Sequence, residues 1–277
     1  MSLKEENLEN IVKIALDALR HTNDILIKHW QRYYYHKKQN MVYTSKKDLS
    51  PVTQLDFESE QTIRNIVLEN YPDHRIVGEE MGEEEYKLSP YLWIIDPIDG
   101  TKNYIRGLKY FATQIAVMHE GEVVVGISSA PALNETMVAF KNGGTFLNDK
   151  KIHASKVSQL RNAFITHGNI KYFSRSSKLL PLAQLAEKAW AMRGFGDCWN
   201  YHLVAYGGID AMLEAKAKIW DIAAVSLIVK EAGGRVTDID GYPISFESTS
   251  IIASNNFIHD EILSIIKNEQ GECNGCC

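Results

Sequence analysis

The stretch Trp93-Ile-Ile-Asp-Pro-Ile-Asp-Gly-Thr-Lys-Asn-Tyr104 constrains this chain more than any other part of it. Trp93, Ile94 and Ile95 form a short apolar run suited to a buried strand. Pro97 is expected to stop that strand just after Asp96, because it lacks an amide donor and biases the preceding residue toward extended backbone. Asp99 follows, then Gly100 and Thr101. Two carboxylates are thereby held close together on a stiff turn, with the Gly100 and Thr101 amides free at a candidate helix start. Carboxylates attract hard cations and free amides attract anions. The turn therefore suits a metal ion and a phosphate together. Asp-Pro and Asp-Gly also mark ordinary solvated turns, so the rest of the chain has to decide.

Apolar spacing predicts the surrounding layout. Leu8, Ile11, Val12, Ala15, Leu19 and Ile25–Ile27 recur at helical spacing and predict an amphipathic helix over 7–30. The polar, basic stretch 31–50, with Lys37, Lys38, Lys46 and Lys47, reads as turns and a short strand. A second helix is predicted over 56–70, ended by Tyr71-Pro72. Strands at 75–78, 111–118, 122–129, 135–140 and 144–148, with an acidic loop over Glu79–Glu85, make the first half helices on a mainly antiparallel sheet. Beyond that, strands at 164–166, 192–195, 211–214, 235–238 and 251–254 alternate with helices at 178–190, 199–206, 222–232 and 259–267. Such alternation implies a layered α/β unit. No internal repeat or long linker divides the chain. Residues 1–277 are expected to form one unit, with 1–150 the helices and antiparallel sheet, 151–270 the α/β layer and 271–277 a disordered tail.

Composition narrows the function. The chain has 277 residues, 45% hydrophobic and 23% charged, an ordinary balance for a soluble globular protein. Its formal charge of −5 argues against a nucleic-acid surface. That charge favours a substrate whose own negative charge is met by metal ions. No apolar run approaches the roughly 20 residues that cross a bilayer, and the acidic start Met-Ser-Leu-Lys-Glu-Glu-Asn is not a signal peptide. Cys198 stands alone, while Cys273, Cys276 and Cys277 crowd the end. A zinc site needs four ligands on a framework, so those three predict a frayed, reduced tail. The expected setting is cytoplasmic.

Four further elements supply acids or hydroxyls, each with an unremarkable alternative. Glu79, in Gly78-Glu79-Glu80, also suits a solvated acidic loop. Asp221, in Trp220-Asp221-Ile222-Ala223-Ala224, also suits an N-cap. Thr53-x-x-Asp56 is equally a capping box, and Glu214 equally a surface strand end.

Gly-Glu-Glu, Asp-Pro-Ile-Asp-Gly-Thr and Trp-Asp-x-Ala-Ala…Glu-Ala-Gly-Gly, in this order and spacing, resemble the inositol monophosphatase family over residues 8–266. That family comprises magnesium-dependent, lithium-sensitive phosphomonoesterases. The resemblance implies an αβαβα layered sandwich of the inositol monophosphatase and fructose-1,6-bisphosphatase type. It implies that Glu79, Asp96 and the Ile98 carbonyl hold one Mg²⁺, that Asp96, Asp99 and Asp221 hold a second, and that Glu79 helps a weaker third. Most of these ligands fall within 1–150. Thr101 and Asp56 would orient the attacking water, while the Gly100 and Thr101 amides grip the phosphate. Asp99, Asp197 and Glu214 would meet the rest of a small-molecule ester. A homodimer is also implied. The physics agrees, since converging carboxylates take up protons unless divalent cations neutralise them, and an all-oxygen donor set suits Mg²⁺.

Gly196-Asp197-Cys198-Trp199 and Gly107-Leu108-Lys-Tyr-Phe111 are similar to the histidinol-phosphatase branch of that family, where inositol-type members carry small residues at the first of these. Histidinol phosphate carries an ammonium and an imidazole, which carboxylates such as Asp197 bind by charge-assisted hydrogen bonds. Asp197 as a cap of the helix starting near Trp199 is the competing reading. Inositol monophosphate or another polyol, sugar or nucleotide phosphate is the alternative substrate. A regulatory binding protein on the same fold is the alternative of another class, and the intact acid set argues against it. A nucleotide-binding module resting on Gly233-Gly234 lacks any Gly-x-Gly-x-x-Gly helix start.

Overall fold

The computed structural model describes residues 5–36, 43–46, 51–83, 88–195 and 197–267. The Lys37, Lys38 and Lys47 positions, Glu84 and Glu85, Gly196 and the cysteines Cys273, Cys276 and Cys277 lie outside the described residues. In chain order, helix α1 (Glu5–His36) is followed by a small hairpin, β1 (Thr44–Ser45) and β2 (Pro51–Val52), and then by α2 (Gln54–Asn70). Next come β3 (Arg75–Gly78), β4 (Gly82–Glu83), β5 (Tyr91–Asp99) and the one-turn helix α3 (Thr101–Ile105). Strands β6 (Ala112–His119), β7 (Glu122–Ala130), β8 (Glu135–Phe140), β9 (Gly144–Leu147) and β10 (Lys150–Ile152) complete the first half. The second half runs β11 (Phe164–His167), α4 (Ile170–Arg175), α5 (Leu179–Lys188), β12 (Ala191–Arg193), α6 (Trp199–Ala205), β13 (Ala211–Glu214), α7 (Ile219–Glu231), β14 (Gly234–Thr237), β15 (Ile251–Asn255) and α8 (His259–Lys267).

These elements stack as an αβαβα sandwich. An eight-stranded sheet of order β10-β9-β8-β7-β6-β5-β3-β4 is antiparallel except where β3 runs parallel to β5. A five-stranded sheet of order β12-β11-β13-β15-β14 is parallel across β12, β11 and β13 and antiparallel beyond. Helices α1 and α2 cover the outer face of the large sheet, burying Ile11, Leu19, Ile63 and Val67 against Trp93, Ile95 and Ile115. Helices α6 and α7 lie between the sheets. Helices α5 and α8 cover the far face of the small sheet with Leu185, Ile262 and Ile266. Helix α7 is apolar on nearly every side, as a helix enclosed by two sheets has to be.

The sequence reading holds for most elements, with corrections at α1, which runs on to His36 where turns were expected, at β5 and at α7. Pro97 does not end its strand: β5 continues through it to Asp99. The pairing with β6 shifts register between Asp96↔Gln114 and Asp99↔Ala112, so Pro97 and Ile98 stand opposite Thr113 alone. A bulge of this kind asks no ladder donor of the proline. The Thr113 hydroxyl closes it by donating to the Pro97 carbonyl at 2.9 Å. Helix α7 also begins three residues earlier than its apolar run suggests, which moves Asp221 from the expected cap into the first turn.

Candidate active site

The bulge gathers the site. It turns Asp96 and Asp99 toward one side of the sheet, and β3, paired in parallel with β5, ends at Gly78 so that the Glu79 amide reaches the Ile95 carbonyl at 3.1 Å. Gly78 has to be glycine, because a Cβ there would sit 2.2 Å from the Glu60 carboxylate. Glu60, buried and bonded to Arg64 at 2.9 Å, accepts from the Glu80 amide at 2.8 Å and the Met81 amide at 3.2 Å. That buried pair fixes the turn carrying Glu79. After the bulge, Gly100 adopts φ 88°, and a Cβ would meet the Tyr110 carbonyl at 2.6 Å. Only glycine turns the chain here without strain.

Glu79, Asp96, Ile98, Asp99, Gly100, Thr101, Lys102, Asp197, Glu214 and Asp221 line one open cavity of about 160 Å³. Nine of the ten residues anticipated from sequence therefore meet there, and Lys102 joins them. Asp56 does not. Its Oδ2 accepts from the Thr53 amide at 2.7 Å and hydroxyl at 2.6 Å, the capping-box arrangement, while its buried Oδ1 has no partner. The Thr101 hydroxyl donates instead to the Ile98 carbonyl at 3.0 Å, so the expected Thr101–Asp56 pair is not in direct contact.

The acids repel one another. Asp96, only 1% exposed, shares the cavity wall with Glu79, Asp99 and Asp221. Burial, then Glu79, Asp99 and Asp221, raise its pKa well above the usual carboxylate range. Burial followed by Asp221, Asp197 and Glu214 does the same to Asp99. Burial lifts Asp221 to about 7 and Glu214 to about 8, the latter also through Asp197 and Asp221. Carboxylates this close share a proton or a cation.

Among the described residues, no three His, Cys, Asp or Glu side chains already aim at a single ligand point. Each acid has an oxygen turned to a protein donor. Asp96 accepts from the Ile98 amide at 3.0 Å, Asp99 from the Gln114 side chain at 3.1 Å, and Asp221 from the Lys218 amide at 2.7 Å. The Lys46 ammonium bridges Glu79 at 2.7 Å and Glu80 at 2.5 Å. The donor set is nonetheless all oxygen and anionic, with Lys46 the cation bonded at its Glu79 edge. Its chemistry fits a hard divalent ion, which would compete with these donors.

On the opposite wall, Asp197 takes φ 27° and its Oδ2 accepts from the Asn103 side chain at 2.8 Å. No side chain caps α6, whose cap position is Cys198, so the capping reading of Asp197 is not the one observed. Glu214 is no surface strand end: it lies within the cavity wall, accepting from the Tyr201 hydroxyl at 2.8 Å. Gln114, Asn103 and Tyr201 were missed from sequence. A polar residue within the apolar run 111–118 was the one available signal, for Gln114.

The same architecture occurs in solved structures. An IMPase of Thermotoga maritima matches with a TM-score of 0.83 and 32% identity, covering 94% of this chain and 98% of that one. The suhB extragenic suppressor protein of Bartonella henselae matches with a TM-score of 0.86 and 28% identity, covering 93% and 98%. The sequence model of the inositol monophosphatase family matches residues 7–270. The chain belongs to the inositol monophosphatase family, and its class is phosphoric monoester hydrolase. Among its sequence relatives, a histidinol-phosphatase of Streptomyces coelicolor is 37% identical over 231 residues, 80% of this chain and 86% of that protein. A fructose-1,6-bisphosphatase/inositol-1-monophosphatase of Thermotoga maritima is 34% identical over 262 residues, 94% and 97%. No helix among the described residues is long and apolar enough to cross a membrane.

Proposed function

We propose that this chain hydrolyses histidinol phosphate to histidinol and phosphate, using two or three Mg²⁺ ions held by Glu79, Asp96, the Ile98 carbonyl, Asp99 and Asp221. When bound, such ions supply charge neutralisation and Lewis acidity for the attacking water and the ester oxygen. The observation carrying the metal reading is the convergence of Glu79, Asp96, Asp99 and Asp221 on one cavity. The Gly100 and Thr101 amides open α3 at the cavity wall and are placed to hold phosphate oxygens. The Thr101 hydroxyl donates its hydrogen bond to the Ile98 carbonyl, which leaves its lone pairs to accept from a water. Asp56 lies outside the cavity lining, held on Thr53, with its buried Oδ1 unpartnered and its pKa raised by burial to about 6. Its proton role is carried by the resemblance and is tested by Asp56→Ala.

The substrate reading rests on Asp197. Its carboxylate lines the cavity, unspent on α6, and stands ready for the cationic end of histidinol phosphate. Inositol monophosphate is the second reading, favoured by the inositol phosphatases among the structural neighbours. A phosphate-release screen with histidinol phosphate, inositol monophosphate, fructose bisphosphate and adenosine bisphosphate separates them. Histidinol phosphate should give the highest kcat/KM, and preferential turnover of inositol monophosphate would overturn the substrate assignment while leaving the metal chemistry standing.

A further inference from the structure

Gln114 stands where an apolar side chain would cost the fold less. It lies in β6 between Thr113 and Ile115, is fully buried, and its Oε1 has no hydrogen-bond partner. A buried acceptor left unsatisfied is a net cost to folding. The other end of the same amide is engaged: Nε2 donates to Asp99 Oδ2 at 3.1 Å.

The bulge makes that bond possible. Gln114 stands directly opposite Asp96 in the ladder, and Asp99 stands opposite Ala112. Residues 112 and 114 share one face of β6, so Gln114 sits beside one acid and reaches diagonally to the other. Asp96 takes its donor from the Ile98 amide at 3.0 Å, and Asp221 from the Lys218 amide at 2.7 Å. Both are backbone groups two or three residues from the acid, set by the local chain whatever its side chains. Asp99 lacks such a support. Among the described residues, the Gln114 amide is the only donor bonded to its carboxylate. Asp221, Asp197 and Glu214 meanwhile press on Asp99 with like charge.

We propose that Gln114 is a positioning residue for the metal centre. It holds Asp99 Oδ2 toward β6, so that Oδ1, which has no partner among the described residues, is the oxygen offered to an ion. The role presupposes the Mg²⁺ ions proposed for Asp96, Asp99 and Asp221. Donors behind a metal-binding carboxylate orient it, and losing one costs roughly ten- to hundredfold in metal affinity. That function explains why a half-satisfied amide is kept inside an apolar strand.

Calorimetric titration of the full chain with Mg²⁺ tests the assignment. Gln114→Met keeps the length of the side chain without its donor, and Gln114→Leu repeats the loss with a branched one. Both should bind Mg²⁺ roughly ten- to hundredfold more weakly than the parent chain. Their melting temperatures in EDTA should stay within about 3 °C of the parent's, because removing the unpartnered oxygen offsets the lost hydrogen bond. At saturating Mg²⁺, KM for glycerol 2-phosphate should stay within about twofold of the parent's. Parental Mg²⁺ affinity in both variants would overturn the proposal. So would weaker binding accompanied by a large fall in the EDTA melting temperature, since Gln114 would then support the strand itself. A parent chain that binds no Mg²⁺ would overturn the metal reading, and this role with it.

Discussion

The Asn103 side-chain amide donates to the Asp197 carboxylate across 2.8 Å and to the Tyr110 carbonyl at the same distance, tying the Gly100–Thr101 turn to the Asp197 wall of the cavity. Asp197 is thus held from the same one-turn helix that begins with Thr101. If it meets the cationic end of histidinol phosphate, Asp197→Asn removes a charge-assisted hydrogen bond worth roughly 1.5–3 kcal/mol. That predicts a roughly ten- to hundredfold fall in kcat/KM for histidinol phosphate and little change for glycerol 2-phosphate. An equal loss on both esters would show that Asp197 serves the architecture alone.

Metal dependence follows from the acid cluster. EDTA should abolish phosphate release and Mg²⁺ restore it. Asp96→Asn should remove turnover yet leave the metal-free fold intact or firmer, because one repelling charge is gone. Residual turnover in the chelated protein, at the level seen with Mg²⁺, would rule the mechanism out.

The pH dependence has a definite sign. Asp221 and Glu214 are raised on folding, to about 7 and about 8, so the folded state binds their protons more tightly than the unfolded chain. Their contribution to stability is complete below the unfolded values near 4 and is lost as pH rises through 7 to 8. Melting of the metal-free protein should therefore drop between pH 5 and pH 8 as these groups ionise. Mg²⁺ should flatten the curve, and Asp221→Asn should reduce its slope. A pH-independent melting temperature without metal would contradict the assignment.

Thr101 and Asp56 are distinguishable by kinetics. Thr101→Ala should lower kcat by orders of magnitude with a small change in melting. Asp56→Ala loses half of a capping box, about 1 kcal/mol of stability, and should also lower kcat if it receives a proton. Stability loss with unchanged kcat would make Asp56 a cap and nothing more.

Lys46 holds Glu79 and Glu80 in the place where a cation is wanted. Burial alone would lower its pKa, but the two glutamates outweigh that and raise it. A part-exposed ion pair is worth about 1 kcal/mol at most, so Lys46→Met should lower the Mg²⁺ concentration for half-maximal binding by up to about fivefold. Calorimetry would read this directly, and weaker Mg²⁺ binding in the variant would mean that Lys46 supports the ions and does not compete with them.

Much of this was legible in the chain because the signals are local. The capping box at Thr53, the glycine at Gly100 and the alternating rhythm of the second half depend on neighbours in sequence. Pro97 misled because a proline is a strand breaker only where its partner strand needs the donor, and the bulge against Thr113 removes that need. Gln114 reaches Asp99 across the sheet, and Lys46 reaches Glu79 from a separate hairpin. Such contacts are set by register and packing between elements, which no spacing along one strand encodes.

The bulge has a kinetic consequence. Because Asp96 and Asp99 both pair with β6, on a strand that β3 flanks up to Ile95, their spacing is held by the ladder around the bulge. Amide hydrogen exchange at Ile94, Ile95 and Ala116 should accordingly track global unfolding, with or without Mg²⁺ apart from the shift in overall stability. The acid pair is in that sense a rigid tooth on the frame, and whatever adjusts when an ion arrives has to be the hairpin bearing Lys46 or the first turn of α7, not the strand itself.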